Sequence, residues 1–134
     1  SIWRQFPIVH NEYWAADNCV LVGDALHTAH FSIGSGTRLA MEDAIALDRA
    51  LAHSGNVGAA LVAYEAARRP TLEKLVSGAN GSATWYEHFA EHMRLAPVDF
   101  AMSYITRSGR VDTERLRKLS PRFVAQFERD RATG

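Results

Sequence analysis

Only one segment of the chain has the pattern of a buried β-strand. Residues 19–22 form a short apolar run, rich in β-branched side chains, that stops at Gly23-Asp24. Fully buried strands normally belong to parallel sheets that are covered on both faces, but one strand cannot make a sheet. Apolar residues in the rest of the chain recur at helical spacing, so we expect five or six helices after the strand. The sequence therefore predicts a mainly α-helical chain.

Helical spacing and capping residues locate the predicted helices. The first is predicted from four apolar residues: Ala40, Ala44, Leu47 and Leu51. A longer helix is predicted from Val57, with a kink or break at Pro70 and a turn or flexible joint at residues 78–82. Shorter helices are predicted over residues 85–95, over residues 98–106, over residues 112–119 with an Asp112 cap, and after Ser120-Pro121.

Composition and charge exclude several classes of function. The 134 residues carry 15 basic and 15 acidic side chains, and this zero net charge argues against nucleic-acid binding and against a polybasic membrane arm. No apolar run approaches the ~20 residues that a membrane span needs. A signal-peptide pattern is absent too, so a cytoplasmic location is expected. The single cysteine, Cys19, excludes an internal disulfide and a cysteine-based metal site.

The predicted strand leads through a glycine-rich loop into the first helix. A carboxylate at the end of a strand, Asp24, is well placed to accept hydrogen bonds from the hydroxyls of a ligand. Beyond Gly34, the unpaired amides of residues 36–38 at the helix start would favour negative charge. A hydroxyl-rich chain ending in an electron-accepting ring would satisfy both features. Spacing alone leaves open the simpler interpretation that Asp24 only caps the turn and the glycines only form it.

Residues 18–27, together with Gly34, Gly36, Asp43 and Ala44, resemble the second FAD-binding motif of the single-component flavin-dependent aromatic hydroxylases. The pattern in that family is Gly-Asp-Ala-Ala-His, then Gly-x-Gly, then a helix containing Asp-Ala. Residues 30–44 look more like the branch that acts on aromatic coenzyme A thioesters, such as the salicylyl-CoA and 2-aminobenzoyl-CoA hydroxylases. The chain departs from the common pattern at three positions: Leu26, Phe31 and Arg38.

The resemblance implies a set of site residues. Those implied to bind FAD are Gly23, Asp24, Ala25, Gly34, Gly36, Thr37 and Arg38. Asp24 would bind a ribityl hydroxyl, and the amides of residues 36–38 would face the flavin N1 and C2 carbonyl. Weaker candidates for contacting the substrate are His30, Phe31, Arg107 and Arg110. The two arginines suit the phosphates of coenzyme A, because a guanidinium binds phosphate through two N–H groups. No catalytic residue is assigned.

The resemblance also implies a reaction and a domain organisation. In the family, NAD(P)H reduces FAD, and oxygen adds to the reduced flavin as a C4a-hydroperoxide that hydroxylates an aromatic ring. The chain lacks the Gly-x-Gly-x-x-Gly fingerprint for the FAD pyrophosphate and a sheet-rich substrate domain. Residues 1–134 are therefore expected to be the C-terminal part of an α/β flavoprotein, inactive alone. Residues 13–55 would be the second FAD-binding motif and residues 56–134 a helical region.

Other interpretations remain open at this point. The chain is alternatively a noncatalytic helical module that self-associates through apolar faces, or part of a reductase or halogenase that shares the Gly-Asp motif. A metal site is not expected, since His27 and His30 lie in a loop with only His10 as a third ligand. Trp85 and its aromatic neighbours Tyr86 and Phe89 indicate either a ring-binding pocket or, more simply, a packed helix face.

Overall fold

A computed structural model describes residue 2 and residues 7–132 of the chain. The elements are β1 (Ala15–Ala16), β2 (Cys19–Val20), α1 (Gly36–His53), α2 (Val57–Glu87), α3 (Phe89–His92), α4 (Pro97–Thr106), α5 (Thr113–Leu119) and α6 (Pro121–Ala132). Single turns of 3-10 helix lie at Gly23–Ala25 and Phe31–Ile33. The mainly α-helical class predicted from the sequence is confirmed. The chain divides into two compact units, Ser1–Ala79 and Asn80–Gly134.

The strand differs from its prediction. β2 pairs antiparallel with β1 in a two-residue hairpin, with Val20 opposite Ala15, across a turn in which Asp17 has a φ of 52°. Cys19 is exposed and Val20 only half-buried, so the prediction of a fully buried strand is wrong. The reason is that Val20 and Leu21 pack on the core of the first unit whereas Asn18 and Cys19 are exposed, so the hairpin is covered only in part.

Helices α1 and α2 build the core of the first unit. The buried members of this core are Trp14, Leu26, Leu39, Tyr64 and Leu72. The Trp14 and Tyr64 rings lie 5.6 Å apart, and the Tyr64 hydroxyl donates a hydrogen bond to Leu21 O (3.2 Å). The predicted helix through Ala40, Ala44, Leu47 and Leu51 is confirmed as α1.

Helix α2 is longer and more continuous than predicted. It runs through Pro70 and through residues 78–82, so a break at Pro70 and a turn at residues 78–82 are both absent. A proline removes one backbone hydrogen bond from a helix, and burial of Tyr64 and Leu72 on either side stabilises the helical path. Residues 78–82 nevertheless contain the boundary between the two units, which falls after Ala79.

The second unit contains the remaining predicted helices. Met102, Leu116 and Val124, one from each of α4, α5 and α6, form its buried cluster. The Asp112 cap is confirmed, because its Oδ1 accepts a hydrogen bond from Arg115 N (2.7 Å). The helix predicted over residues 85–95 is instead divided between the end of α2 and the single turn α3.

Trp85 is the centre of an aromatic cluster in the second unit. It is buried, and its ring contacts those of Tyr86, Phe89, His92, Phe100 and Tyr104. Its indole N–H donates a hydrogen bond to the Ser103 hydroxyl (3.3 Å). These contacts favour the packed helix face over a ring-binding pocket. No helix among the described residues has the length and apolar character needed to cross a membrane.

Candidate functional site

The turn at Gly23–Ala25 presents Asp24 at the surface. Gly23 has a φ of +59°, and a Cβ added there would lie 3.1 Å from the Ala40 Cβ. Its carbonyl accepts hydrogen bonds from Leu26 N (2.9 Å) and His27 N (3.0 Å). Gly23 is buried while Asp24 and Ala25 are exposed. The backbone of the turn is therefore held from the inside, and the Asp24 carboxylate faces outward.

The glycine-rich loop connects the turn at Gly23–Ala25 to the start of α1. Gly34 has a φ of +60°, and its amide donates to Phe31 O (2.9 Å). The buried Ser35 donates its hydroxyl to Ile33 O (3.2 Å), and Leu39 N donates to Ser35 O (2.9 Å). Because Leu39 N starts the helical hydrogen bonds, the amides of residues 36–38 have no acceptor within the helix. The positive end of an 18-residue helix lies at this loop.

Asp24 and the start of α1 line one open groove of about 610 Å³. The groove is lined by Asp24, Ala29, Phe31, Gly34, Ser35, Gly36, Thr37 and Ala40. Four of the seven residues predicted to bind a cofactor therefore lie on it: Asp24, Gly34, Gly36 and Thr37. Of the other three, Gly23 and Ala25 flank Asp24 in the turn, and the Arg38 side chain is exposed and pairs with Glu42 (3.5 Å).

A buried carboxylate on α1 holds the turn from behind. Asp43 is fully buried, and its Oδ2 accepts hydrogen bonds from Gly23 N (3.2 Å) and from His27 Nε2 (2.7 Å). Its Oδ1 accepts a hydrogen bond from Arg68 Nε of α2 (2.9 Å) and forms an ion pair with Arg68 Nη2 (2.8 Å). Because a carboxylate only accepts, His27 must carry its proton on Nε2. The buried Nδ1 has no hydrogen-bond partner among the described residues.

Sequence reasoning missed this buried network. Asp43 was matched only as a motif position, and Arg68 lies 25 residues further along the chain. One signal was available: Arg68 is four residues from both Tyr64 and Leu72, and so lies within the apolar stripe of α2. A basic residue in such a stripe is rarely buried without a charged partner, so its position indicates a buried acid elsewhere.

The residues predicted to contact the substrate belong to different units. In the first unit, the His30 ring stacks on the exposed Phe31 ring (4.3 Å) and accepts a hydrogen bond from Ser32 N (3.3 Å). In the second unit, Arg107 donates to Ser82 Oγ (3.0 Å) and Tyr104 O (2.7 Å), whereas Arg110 is exposed.

The histidines weighed as metal ligands are not gathered into such a site. His10 is exposed, His27 is bonded to Asp43, and His30 is bonded to Ser32. The described part of the chain contains no group of three or more His, Cys, Asp or Glu side chains able to hold a metal ion.

Comparison with known proteins decides the family. The family described as FAD binding domain matches residues 4–79, which include the whole groove. The chain belongs to this family. It is 46% identical over 111 residues to a salicyloyl-CoA 5-hydroxylase of a Streptomyces species, covering 81% of the chain and 22% of that protein.

Two further relatives of this FAD binding domain are monooxygenases. One, from Streptosporangium sibiricum, is a 3-hydroxy-4-methyl-anthranilyl-[aryl-carrier protein] 5-monooxygenase, 52% identical over 83% of the chain and 31% of that protein. The other is the protodeoxyviolaceinate monooxygenase of Chromobacterium violaceum, 35% identical over 78% of the chain and 28% of that protein. The chain thus spans less than a third of the length of each relative. The predicted resemblance is confirmed, and FAD is the cofactor of the family.

The residues of the groove fit part of FAD. The exposed Asp24 carboxylate suits hydroxyl donors, as along the ribityl chain, and the unpaired amides of residues 36–38 suit the carbonyl and nitrogen edge of the flavin. Ala29, Phe31 and Ala40 supply apolar surface for a ring. The Arg38 side chain is directed to Glu42, so its backbone amide is the part of this residue that could serve such a site.

Proposed function

We propose that this chain forms the ribityl and flavin-ring side of the FAD site of a monooxygenase that hydroxylates an aromatic compound. The observation that carries the proposal is that Asp24 and the N-terminus of α1 line the same groove. Residues 13–55 would act as the second FAD-binding motif and residues 56–134 as a helical region of the same protein. Activity is proposed for the full-length protein, because the chain spans 22% and 31% of two monooxygenase relatives.

Each part of the groove has a distinct role in this proposal. The Asp24 carboxylate accepts hydrogen bonds from the ribityl hydroxyls and fixes the depth at which the flavin lies. The amides of residues 36–38 donate to the N1 and C2 carbonyl edge. The positive end of α1 stabilises negative charge there. When bound, FAD supplies the redox chemistry: two electrons from NAD(P)H and activation of O2, of which one atom enters the aromatic ring and the other leaves as water. The proposal includes a cytoplasmic location, because NAD(P)H is available there.

Two relatives and the edge of the groove support a proposed substrate class. One relative is named for a salicyloyl-CoA and another for an anthranilyl group on an aryl-carrier protein, and both are aromatic acyl groups. An aromatic coenzyme A thioester is the substrate we assign here. The stacked His30 and Phe31 rings would contact the aromatic ring, and Phe31 lies on the groove. For Arg107 and Arg110, which belong to the second unit, phosphate binding stays a prediction from the family resemblance alone.

The first test is replacement of Asp24 in the full-length protein. Asp24→Ala removes the carboxylate from the groove, and a hydrogen bond to a charged group contributes about 1.5–3 kcal/mol. We therefore expect the Kd for FAD, measured by equilibrium dialysis, to rise about 10-fold to 100-fold.

Asp48→Ala is the matched control for this test. Asp48 is an exposed aspartate on α1 that does not line the groove, so its replacement should leave the Kd within twofold of the wild type. An unchanged Kd for Asp24→Ala would contradict the proposed role of the groove.

A further inference from the structure

Arg68 lies outside the groove, but it is connected to Asp24, which lines the groove, through Asp43 and Gly23. The guanidinium binds Asp43 Oδ1, Asp43 Oδ2 binds the Gly23 amide, and Gly23 precedes Asp24. Arg68 is 8% exposed and Asp43 0%, so the contact between them is buried. The lining of the groove includes Asp24 but not Arg68.

We propose that Arg68 is a positioning residue for FAD, acting through Asp43 and Gly23 to hold the Asp24 carboxylate in its binding position. The proposal rests on the proposed function, because it assumes that Asp24 binds the cofactor. It assigns to Arg68 an effect on FAD affinity without any contact with FAD.

The geometry of the guanidinium supports this role. Nε donates to Asp43 Oδ1, and Nη2 forms an ion pair with the same oxygen (2.8 Å), which leaves Oδ2 for Gly23 N and His27 Nε2. Nη1 donates to Glu42 Oε2 (3.2 Å), and Nη2 also reaches Leu39 O (3.5 Å). The guanidinium is thus fixed against α1, and it prevents the Asp43 carboxylate from turning away from Gly23. A lysine ammonium carries charge but lacks this planar arrangement of donors.

The orientation of Asp43 matters because its carboxylate is the acceptor for the Gly23 amide, next to Asp24. The far side of the turn is held separately, by Asn11 Nδ2, which donates to Ala25 O (3.1 Å) and Leu26 O (2.6 Å). Gly23 is in the left-handed region, and its amide has the Asp43 carboxylate as acceptor (3.2 Å). His27, which closes the turn by donating to Gly23 O, also depends on Asp43 for its side-chain hydrogen bond. Rotation of this carboxylate would release both the amide and the imidazole, and Asp24 would move with them.

The test compares two adjacent arginines of α2 in the full-length protein. Removing the cation with Arg68→Met would leave a buried carboxylate unpaired and endanger folding, so Arg68→Lys is the variant to use. Arg69→Lys is the matched control. Arg69 binds Glu65 and Glu12 O (2.8 Å) and lies 5.0 Å above the Trp14 ring, with no hydrogen bond to the Asp43 network. We expect the Kd for FAD to rise about tenfold in Arg68→Lys and to stay within twofold in Arg69→Lys.

A double-mutant cycle separates positioning from a general loss of stability. If Arg68 acts through Asp24, Arg68→Lys should change the Kd less than twofold in a protein that already carries Asp24→Ala. If Arg68 had a purely structural role, the fold-changes in Kd caused by Arg68→Lys and by Asp24→Ala would multiply in the double variant. The visible circular dichroism of FAD, recorded at saturation, should also change in Arg68→Lys and not in Arg69→Lys.

The outcomes distinguish this inference from the proposed function. Failure of the wild-type protein to bind FAD, or an unchanged Kd in Asp24→Ala, would overturn the proposed function. A Kd for Arg68→Lys equal to that for Arg69→Lys, or independent effects of Arg68 and Asp24, would overturn the positioning role while leaving FAD binding in place.

Discussion

Gly23 is subject to two constraints that a side chain cannot meet. Its φ is +59°, and an added Cβ would lie 3.1 Å from the Ala40 Cβ. Gly23→Ala should therefore lower the free energy of unfolding by about 1–3 kcal/mol, through backbone strain and displacement of α1. Urea unfolding followed by far-ultraviolet circular dichroism measures the change.

Gly55→Ala is the control for this prediction. Gly55 lacks a positive φ, and nothing lies within 4 Å of its added Cβ. Its replacement should change the free energy of unfolding by less than about 1 kcal/mol, and it should stabilise if the native backbone suits alanine. Equal losses in the two variants would show that the turn at Gly23 is not specially constrained.

At the scale of elements, α5 is a short helix with a side-chain cap. It has seven residues, too few to be stable by propensity, and Asp112 Oδ1 accepts the Arg115 amide at 2.7 Å. Asp112→Ala should cost about 1 kcal/mol, because an amide of the first turn loses its acceptor. Hydrogen exchange at the Arg115 amide reports the loss directly.

A second replacement at the same position sharpens this prediction. Asp112→Asn keeps an acceptor oxygen at the cap and should retain most of the protection of the Arg115 amide. Similar fast exchange in both variants would mean that the side chain of residue 112 does not cap α5 in solution.

Elements with local signals were predicted correctly, and elements that depend on packing were not. Ala40, Ala44, Leu47 and Leu51 predicted α1, because helical spacing is a local property. Pro70 predicted a break that is absent, since buried contacts of α2 offset one missing hydrogen bond. The apolar run at residues 19–22 predicted burial on both faces, which depends on the layers that cover a strand and not on the strand itself.

At the scale of the whole molecule, Tyr64 links stability to alkaline pH. Burial raises the pKa of its phenol from 10.0 to about 12, with a further increase from the Asp43 carboxylate and an opposing decrease from Arg68. The unfolded chain loses this proton near pH 10, whereas the folded chain keeps it to about pH 12. The stabilising contribution of the neutral phenol is therefore complete below pH 10 and decreases as pH rises toward 12, by about 3 kcal/mol in total.

Comparison with Tyr64→Phe isolates this contribution. Lysines and other groups titrate in the same range in both proteins, so the difference between their free energies of unfolding reports on the phenol. We expect urea unfolding at pH 8 to 12 to show the wild type losing its advantage over Tyr64→Phe above pH 10. A difference that is independent of pH would mean that the phenol ionises normally.

The sequence by itself determined α1, the Asp112 cap and the groups that face the groove. Asp24, Gly34 and the amides of residues 36–38 are close along the chain, so their neighbourhood follows from a strand end, a glycine loop and a helix start. Only the tertiary structure decided what holds them in place. Arg68 meets Asp43 because α2 packs on α1, and the contact between residues 25 apart depends on which helix faces are buried together. Local hydrogen bonding follows from spacing in the chain, whereas a buried ion pair requires the whole core to assemble around it.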